Sequence, residues 1–334
     1  MDREQEEIQF LGFFGIVRES YSLVSSWRKI FSQIMLALIL PLSSVYLAQI
    51  QITQILIFKI VTNESTLERT PEGSRSYDRI SNLISSEWTE VLLFKIGYLL
   101  FFLILALLST SAVVYTIACI YTAKEITFVK VMSVVPKVWK RLIVTFICYF
   151  VIVFAYNIIA VIIPVLAILL FQPSSTVGVI LLLFYLIIYF IGFLYINMIW
   201  QLASVVSVLE ESYGVNAMLK SQSLIKGKMG VCVAIFFVLG LLFIGVEIVF
   251  KVFVVTAYEK GLGYRVGLGI GCLSIMSIVI LLVLVMQTIV YFVCKSYHHE
   301  NIDKSALADH LGEYLGEYVP LKSKDVQMEQ FEEV

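Results

Sequence analysis

Six long apolar runs alternate with short polar segments along this chain of 334 residues. The runs cover residues 31–58, 91–121, 142–171, 177–209, 229–258 and 266–294. Each is longer than the roughly 20 helical residues that cross a bilayer's hydrocarbon core. Only helices and closed barrels satisfy their backbone inside lipid, and the runs lack the alternation of barrel strands. The pattern predicts an all-α polytopic transmembrane helix bundle of about six spans, with kinks at Pro41 and Pro164.

Three of the polar segments, residues 8–31, 124–141 and 215–228, carry apolar side chains at helical spacing. Each leads into the next span through basic residues, and the first two also carry a Trp there. Helices of this composition lie in the headgroup region of a membrane. The predicted interfacial anchors are Trp27, Arg28, Lys29, Trp139, Lys140, Arg141, Lys226 and Lys228.

These segments also predict an internal repeat, because each is followed by two spans. We expect three repeated units of an amphipathic helix plus a helical hairpin. The domain organisation would be an interfacial helix at 1–30, a six-span membrane domain at 31–294 and a cytosolic tail at 295–334. The tail is polar and acidic after residue 320, which is typical of disorder.

Basic residues near the span ends predict the orientation. Lys and Arg are concentrated in the N-terminal segment, in the second and fourth connections and at residue 295, whereas the third connection, 172–176, has none. Cytosolic loops carry the excess of Lys and Arg, so both termini are predicted to be cytosolic, in the endoplasmic reticulum or plasma membrane. Asn63, in the sequon Asn63-Glu64-Ser65, falls on the predicted outer or lumenal side and is a candidate glycosylation site.

Composition narrows the function classes. Hydrophobic residues make up 60% of the chain and charged residues 15%, against about 45–50% and 25% in soluble domains. The net charge of −1 provides no basic domain to neutralise phosphates, so no nucleic-acid partner is expected. The sequence has no HExxH, P-loop or GxSxG motif, and its three histidines lie in the tail. We therefore predict no catalytic, cofactor or metal site.

The five cysteines lie in or at the edge of apolar runs, without the paired spacing of a zinc or disulfide framework. Cys294 ends the last run beside Lys295, a juxtamembrane position that makes it a candidate for palmitoylation. Three glycines spaced by four, Gly263, Gly267 and Gly271, predict close helix packing at the start of the last run.

Polar residues inside the apolar runs are the remaining candidates for function, because they are costly in lipid. They are Asn157, Asn197, Gln201, Glu247, Lys251 and Gln287. Glu247 and Lys251 lie one turn apart and have opposite charges. One interpretation is a polar path for a substrate or ion. The other, which we favour, is a set of interhelical hydrogen bonds with a local ion pair.

The residues also resemble known families. The opening Glu6-Glu7-Ile8-Gln9-Phe10-Leu11, with Gly15-Ile16-Val17-Arg18-Glu19-Ser20, resembles the start of a plant family of uncharacterised multi-pass membrane proteins. Val135-Pro136-Lys137-Val138-Trp139-Lys140-Arg141-Leu142 and Gly312-Glu313-Tyr314-Leu315-Gly316-Glu317-Tyr318-Val319-Pro320-Leu321-Lys322 match the same family. This resemblance spans nearly the whole chain and implies a plant origin and a six-span architecture.

A more distant resemblance lies in motifs between residues 200 and 228. Trp200-Gln201-Leu202-Ala203 to Glu210, Ala217-Met218-Leu219-Lys220-Ser221 and Lys226-Gly227-Lys228 are similar to bacterial YciC-type proteins and to the membrane domain of some glycerophosphodiester phosphodiesterases. Gln222 and Ser223 stand where the bacterial pattern tends to have Trp. The resemblance transfers no catalytic residue, because that membrane domain is not the catalytic part.

Three function classes remain open. The first is a non-catalytic membrane protein that organises lipid or partner proteins through its cytosolic helices and tail. The second is a transporter or channel for a small solute. The third, an intramembrane lipid enzyme, has no acid/base or metal cluster in the sequence to support it. We favour the first, with membrane lipids and proteins as the predicted partners.

Overall fold

A computed structural model of the chain describes residues 10–124, 126–171, 175–257 and 259–298. Within these ranges the secondary structure is helical, without strands, which confirms the all-α class. The α-helices are α1 (Phe13–Ser26), α2 (Arg28–Ile34), α3 (Leu40–Glu68), α4 (Arg75–Tyr121), α5 (Phe128–Phe171), α6 (Ser175–Leu209), α7 (Val215–Ile225), α8 (Met229–Phe250) and α9 (Leu262–Tyr297). The predicted tail disorder after residue 320 falls outside the described residues.

Six helical segments are long and apolar enough to cross a membrane, as predicted. The first is composite: α2 runs into α3 through a π-helical turn, Met35–Ile39, directly before the predicted kink site Pro41. The fifth also ends in a π-helical turn, Lys251–Val255. Pro164 lies within α5, which continues through it.

Exposed apolar side chains form a band on the outside of these helices. On α4 the band includes Leu92 to Ile104, and on α6 it includes Val177 to Ile191. In the most apolar windows of α5 and α6 no residue is buried, whereas 44% of the α2–α3 window and 39% of the α9 window are buried. The α2–α3 segment and α9 are therefore central, and α5 and α6 expose their apolar windows to lipid.

Several helices are longer than this band. With a rise of 1.5 Å per residue, the 47 residues of α4 extend about 70 Å and the 36 residues of α9 about 54 Å. The hydrocarbon core is only about 30 Å thick. The extra length of α9 projects at its C-terminal end, where residues 284–294 are buried in protein.

The main hydrophobic core lies at that projecting end. It joins the C-terminal parts of α4, α6 and α9 to the first turns of α5, and it includes the buried side chains Ile117, Val138, Leu202 and Val290. We call this end of the bundle the terminal face, because both described chain ends, residues 10 and 298, lie there. A smaller core, which includes Leu47 and Met276, lies farther along the bundle.

The amphipathic segments cover the terminal face. Helix α1 buries Ile16 and Leu23, and α7 buries Met218 and Leu224. The middle segment differs from the expected separate helix, because residues 128–141 are continuous with the span as one helix, α5. Its apolar side, including Val131, is buried in the protein core. The threefold repeat therefore stays a prediction, supported by separate helices in its first and third units only.

Candidate functional site on the terminal face

A carboxylate shared by three helices forms the centre of the terminal face. Glu210, directly after α6, accepts hydrogen bonds at Oε1 from Lys295 Nζ at 2.7 Å and from Tyr291 OH at 2.5 Å, both on α9. Its Oε2 lies 2.6 Å from Lys220 Nζ on α7. The exposed fraction of the side chain is 12% for Glu210, 17% for Lys295 and 32% for Lys220. We call these four residues the Glu210 cluster.

Two opposing effects set the pKa of Glu210. Burial penalises the carboxylate and would raise the pKa, but hydrogen bonds from Lys220, Lys295 and Tyr291 outweigh it and lower the pKa below its usual value. Glu210 is therefore ionised at neutral pH. The arrangement joins α6, α7 and α9 through the Glu210 carboxylate.

Further polar contacts fix α7 beside the cluster. Thr145 Oγ1 on α5 lies 2.7 Å from Ser207 Oγ and accepts a hydrogen bond of 2.7 Å from the backbone N–H of Gly214. Gly214 precedes α7 with φ of +64°, a conformation that favours glycine. Ser221 Oγ donates to the carbonyl of Ile199 at 2.8 Å. The α6–α7 connection is thus held in one conformation by hydrogen bonds.

A crevice opens between α1, α2 and α9 at the edge of the exposed apolar band. It has a volume of about 390 Å³ and combines polar and apolar lining. Its lining includes Tyr21, Ser25, Arg28, Ser32, Met35 and Leu281. We call it the Arg28 crevice. Arg28 Nε donates to the carbonyl of Ser25 at 2.9 Å, which holds the guanidinium against the end of α1.

The predicted interfacial anchors lie just outside the exposed apolar band. The exposed residues Trp27, Arg28 and Lys29 lie about two turns before Leu36, whose side chain is 66% exposed. On α5, Trp139 is half-buried, Lys140 is exposed and Arg141 is half-buried, before the exposed Val144. Lys226 is exposed, and the Lys228 ammonium lies 5.3 Å from the ring centre of Tyr297. Their role as membrane anchors stays a prediction.

The polar residues inside the spans are distributed over separate helix contacts. Asn157 accepts a hydrogen bond from Tyr189 OH at 2.9 Å, and Asn197 accepts one from Tyr149 OH at 2.8 Å. Both contacts join α5 to α6. Gln201 lies half-buried one turn after Asn197. These geometries match interhelical hydrogen bonds.

The remaining span residues differ from expectation. Among the described residues no ion pair joins Glu247 to Lys251. Instead, Glu247 Oε2 accepts a hydrogen bond of 2.8 Å from Tyr46 OH on α3, and Lys251 is exposed. The expected pair is absent because Glu247 faces α3, whereas Lys251 begins the π-helical turn and points outward. Gln287 is 1% exposed, and within the described part of the chain neither its Nε2 nor its Oε1 has a hydrogen-bond partner.

The structure also places three further groups of predicted residues. Cys294 is fully buried with its Sγ 3.8 Å from Cys232 Sγ, and its palmitoylation stays a prediction. At the glycines 263, 267 and 271, an added Cβ would meet no atom of the described residues within 4 Å, so these residues show none of the expected close helix packing. Asn63 lies within α3, where its Nδ2 donates to both carboxylate oxygens of Glu87 at 2.8 and 2.9 Å. Glycosylation of Asn63 stays a prediction.

Sequence reasoning missed the Glu210 cluster. Glu210 directly follows the fourth apolar run and Lys295 directly follows the sixth, so each looked like an ordinary charge at a span end. The sequence did contain one usable signal. The fourth and sixth spans run in the same direction, so the residues that follow them, Glu210 and Lys295, are expected at the same end of the bundle. Within the described residues, no three His, Cys, Asp or Glu side chains are grouped as metal ligands.

Comparison with known proteins assigns a family. The family model described as a domain of unknown function, DUF8558, matches residues 1–331. No curated protein and no solved structure matches the chain. The resemblances to plant multi-pass proteins and to YciC-type proteins stay predictions.

Proposed function

The chain belongs to the DUF8558 family, and we propose that it is a non-catalytic integral membrane protein that organises anionic lipid, and through it partner proteins, at the cytosolic membrane surface. In this proposal the terminal face is the cytosolic side and the functional surface. The six spans hold that surface at the level of the headgroups.

The main support for the proposal is the unequal distribution of basic and acidic residues between the two ends of the bundle. The terminal-face segments 10–30, 122–141, 210–229 and 295–298 contain twelve Lys and Arg against four acidic residues, a net formal charge of +8. The opposite connections, 59–95, 172–176 and 256–265, contain seven of each, a net charge of zero. Such a bias supports a cytosolic terminal face, where each basic residue near anionic lipid contributes about 1 kcal/mol of attraction.

The two apolar sides of α1 also support a terminal face that contacts lipid headgroups. Ile16 and Leu23 are buried against the bundle, whereas Phe14 and Tyr21 are 84% and 74% exposed about 150° away around the helix. Phe10, at 78% exposure, continues this second side. A helix that docks on protein with one side and exposes aromatics beside basic residues on the other is suited to the headgroup region.

Lipid enrichment around the reconstituted protein tests the proposal. The full chain would be placed in phosphatidylcholine vesicles with a small fraction of fluorescent phosphatidylserine, and energy transfer from protein tryptophans to the lipid would be measured. We expect enrichment with the native chain and a clear loss in the triple variant Arg18→Gln, Lys29→Gln, Lys140→Gln.

A matched control neutralises three exposed basic residues at the opposite end, Arg69, Arg75 and Arg79. This variant has the same change of net charge and should retain the enrichment. Equal loss in both triple variants would contradict the proposal. A solute flux in the same vesicles that depends on Glu247 would favour the transporter instead.

A further inference from the structure

The Arg28 crevice has the size and the chemistry of a ligand site. Its volume of about 390 Å³ falls within the about 300–1,000 Å³ of small-molecule pockets. Its lining combines polar residues, Ser25, Arg28 and Ser32, with the apolar side chains of Met35 and Leu281. A ligand that matches both the polar and the apolar lining has an anionic group joined to a hydrocarbon chain.

The position of the crevice along the length of the bundle indicates which class of ligand would bind there. Leu36, 66% exposed, marks the start of the lipid-facing surface on the first span, and Arg28 lies about two turns farther toward the terminal face. Arg28 is therefore at headgroup level, while Met35 and Leu281 are at the level where acyl chains begin. A phospholipid is oriented in this way in its own leaflet without leaving the membrane.

A change in backbone conformation coincides with the crevice. The π-helical turn Met35–Ile39 begins at the apolar end of the lining. A π-helical turn inserts an extra residue into an α-helix and is frequent at functional sites. Met35 thus departs from the regular α-helical position at the place where an acyl chain would lie.

Charge supports an anionic headgroup. The Arg28 guanidinium uses Nε to bind the carbonyl of Ser25, and within the described residues its two terminal nitrogens have no protein partner. Its planar fork matches two oxygens of a phosphate. Lys29 and Arg18 add positive charge nearby, with Glu19 as the acidic residue of this segment. A zwitterionic lipid would bring its own cation into this positive region.

We propose that the Arg28 crevice binds one anionic phospholipid, with the headgroup phosphate on Arg28 and an acyl chain along Met35 and Leu281. This inference rests on the proposed function and deepens it, because it replaces diffuse attraction at the terminal face with one defined site. Free inorganic phosphate could contact Arg28 as the headgroup phosphate does, but it has no hydrocarbon to contact Met35 and Leu281.

Native mass spectrometry of the delipidated full chain tests the site. The protein would be titrated separately with dioleoyl phosphatidylserine, dioleoyl phosphatidylcholine and inorganic phosphate. We expect one phosphatidylserine to bind more tightly than any further lipid or than phosphatidylcholine, with no displacement by phosphate. Arg28→Gln should weaken this first binding event about 10–100-fold, the effect of losing hydrogen bonds to a charged group.

Lys29→Gln is the matched control, since it removes the same charge from the neighbouring exposed position outside the crevice. It should change the affinity by less than about fivefold, as for an exposed charge. Arg28→Lys, which keeps the charge but loses the planar fork, should be intermediate, and it replaces Arg28→Gln if that variant does not fold.

Several results would overturn the inference: no tight first phosphatidylserine, equal binding of phosphatidylcholine, displacement by inorganic phosphate, or equal weakening by Arg28→Gln and Lys29→Gln. The vesicle experiment separates this failure from that of the proposed function, because its triple variant leaves Arg28 intact. Lipid enrichment without a single tight adduct would refute the crevice and leave the proposed function standing.

Discussion

Neutralising Glu210 is predicted to destabilise the terminal face more than any other single change in the Glu210 cluster. In Glu210→Gln, two ammonium groups and the Tyr291 hydroxyl lose the carboxylate that they share. Lys295 is only 17% exposed, so its charge stays largely buried without an anionic partner. Glutamine keeps the shape and one acceptor oxygen, which makes the charge the main difference.

The magnitude follows from burial. Breaking a buried ion pair by removing one partner costs about 3–5 kcal/mol, and glutamine's remaining acceptor favours the lower end, about 3 kcal/mol. Lys295→Met should cost about 1.5–3 kcal/mol, the range for a hydrogen bond to a charged group. Lys220 is about one-third exposed, so solvent screening reduces the cost of Lys220→Met to less than about 1 kcal/mol.

Equilibrium unfolding by SDS in mixed micelles gives these free energies, with a fluorogenic thiol reagent as the probe because Cys119, Cys232 and Cys294 are buried in the same core. Glu211→Gln is the control, since Glu211 is the exposed neighbour with the same charge. The expected order of destabilisation is Glu210→Gln, then Lys295→Met, then Lys220→Met, with the control near zero. Equal stability of Glu210→Gln and its control would refute the reasoning.

Three further predictions follow from the burial pattern. Because the pKa of Glu210 is lower in the folded state, its stabilisation is present above the unfolded value of 4.5 and is lost as pH falls through the lower folded value; unfolding of Glu210→Gln should lack this acid dependence. Gln287→Leu removes a buried amide without a partner and should be neutral or stabilising by about 1–2 kcal/mol in SDS unfolding, so a loss of stability would contradict the structure. Cys294 should react with maleimide only after denaturation, whereas the half-buried Cys148 reacts faster in the native protein; equal native rates, measured by mass spectrometry, would contradict the burial of Cys294.

The spans were predictable because lipid imposes one simple requirement on them. Twenty or more apolar residues in a row satisfy it whatever they contact, so the six runs appear directly in the sequence. Because all six runs are similarly apolar, the sequence does not show which of their side chains pack against other helices. The apolar runs do not reveal that the window of α5 contains no buried residue whereas that of α9 is 39% buried.

The clusters were harder to predict because they depend on contacts between distant residues. Glu210 and Lys295 are 85 positions apart, and Tyr46 and Glu247 are 201 apart. The spacing of four residues favoured an ion pair between Glu247 and Lys251. Instead, Lys251 begins a π-helical turn, and Glu247 accepts a hydrogen bond from the Tyr46 hydroxyl. The amphipathic segments were visible, yet their apolar sides pack against protein as well as facing outward.

Because the main hydrophobic core is concentrated at the terminal face, the two ends of the bundle should resist a mechanical force differently. Among the described residues at the far ends of α5 and α6, Tyr156 OH donates to the carbonyl of Tyr189 and Tyr185 OH donates to the carbonyl of Ala160, and both hydrogen bonds stay within this helix pair. At the terminal face, the Glu210 cluster and the main hydrophobic core join several helices instead. A force across the molecule should therefore deform the far end of the α5–α6 pair before it separates the helices at the terminal face.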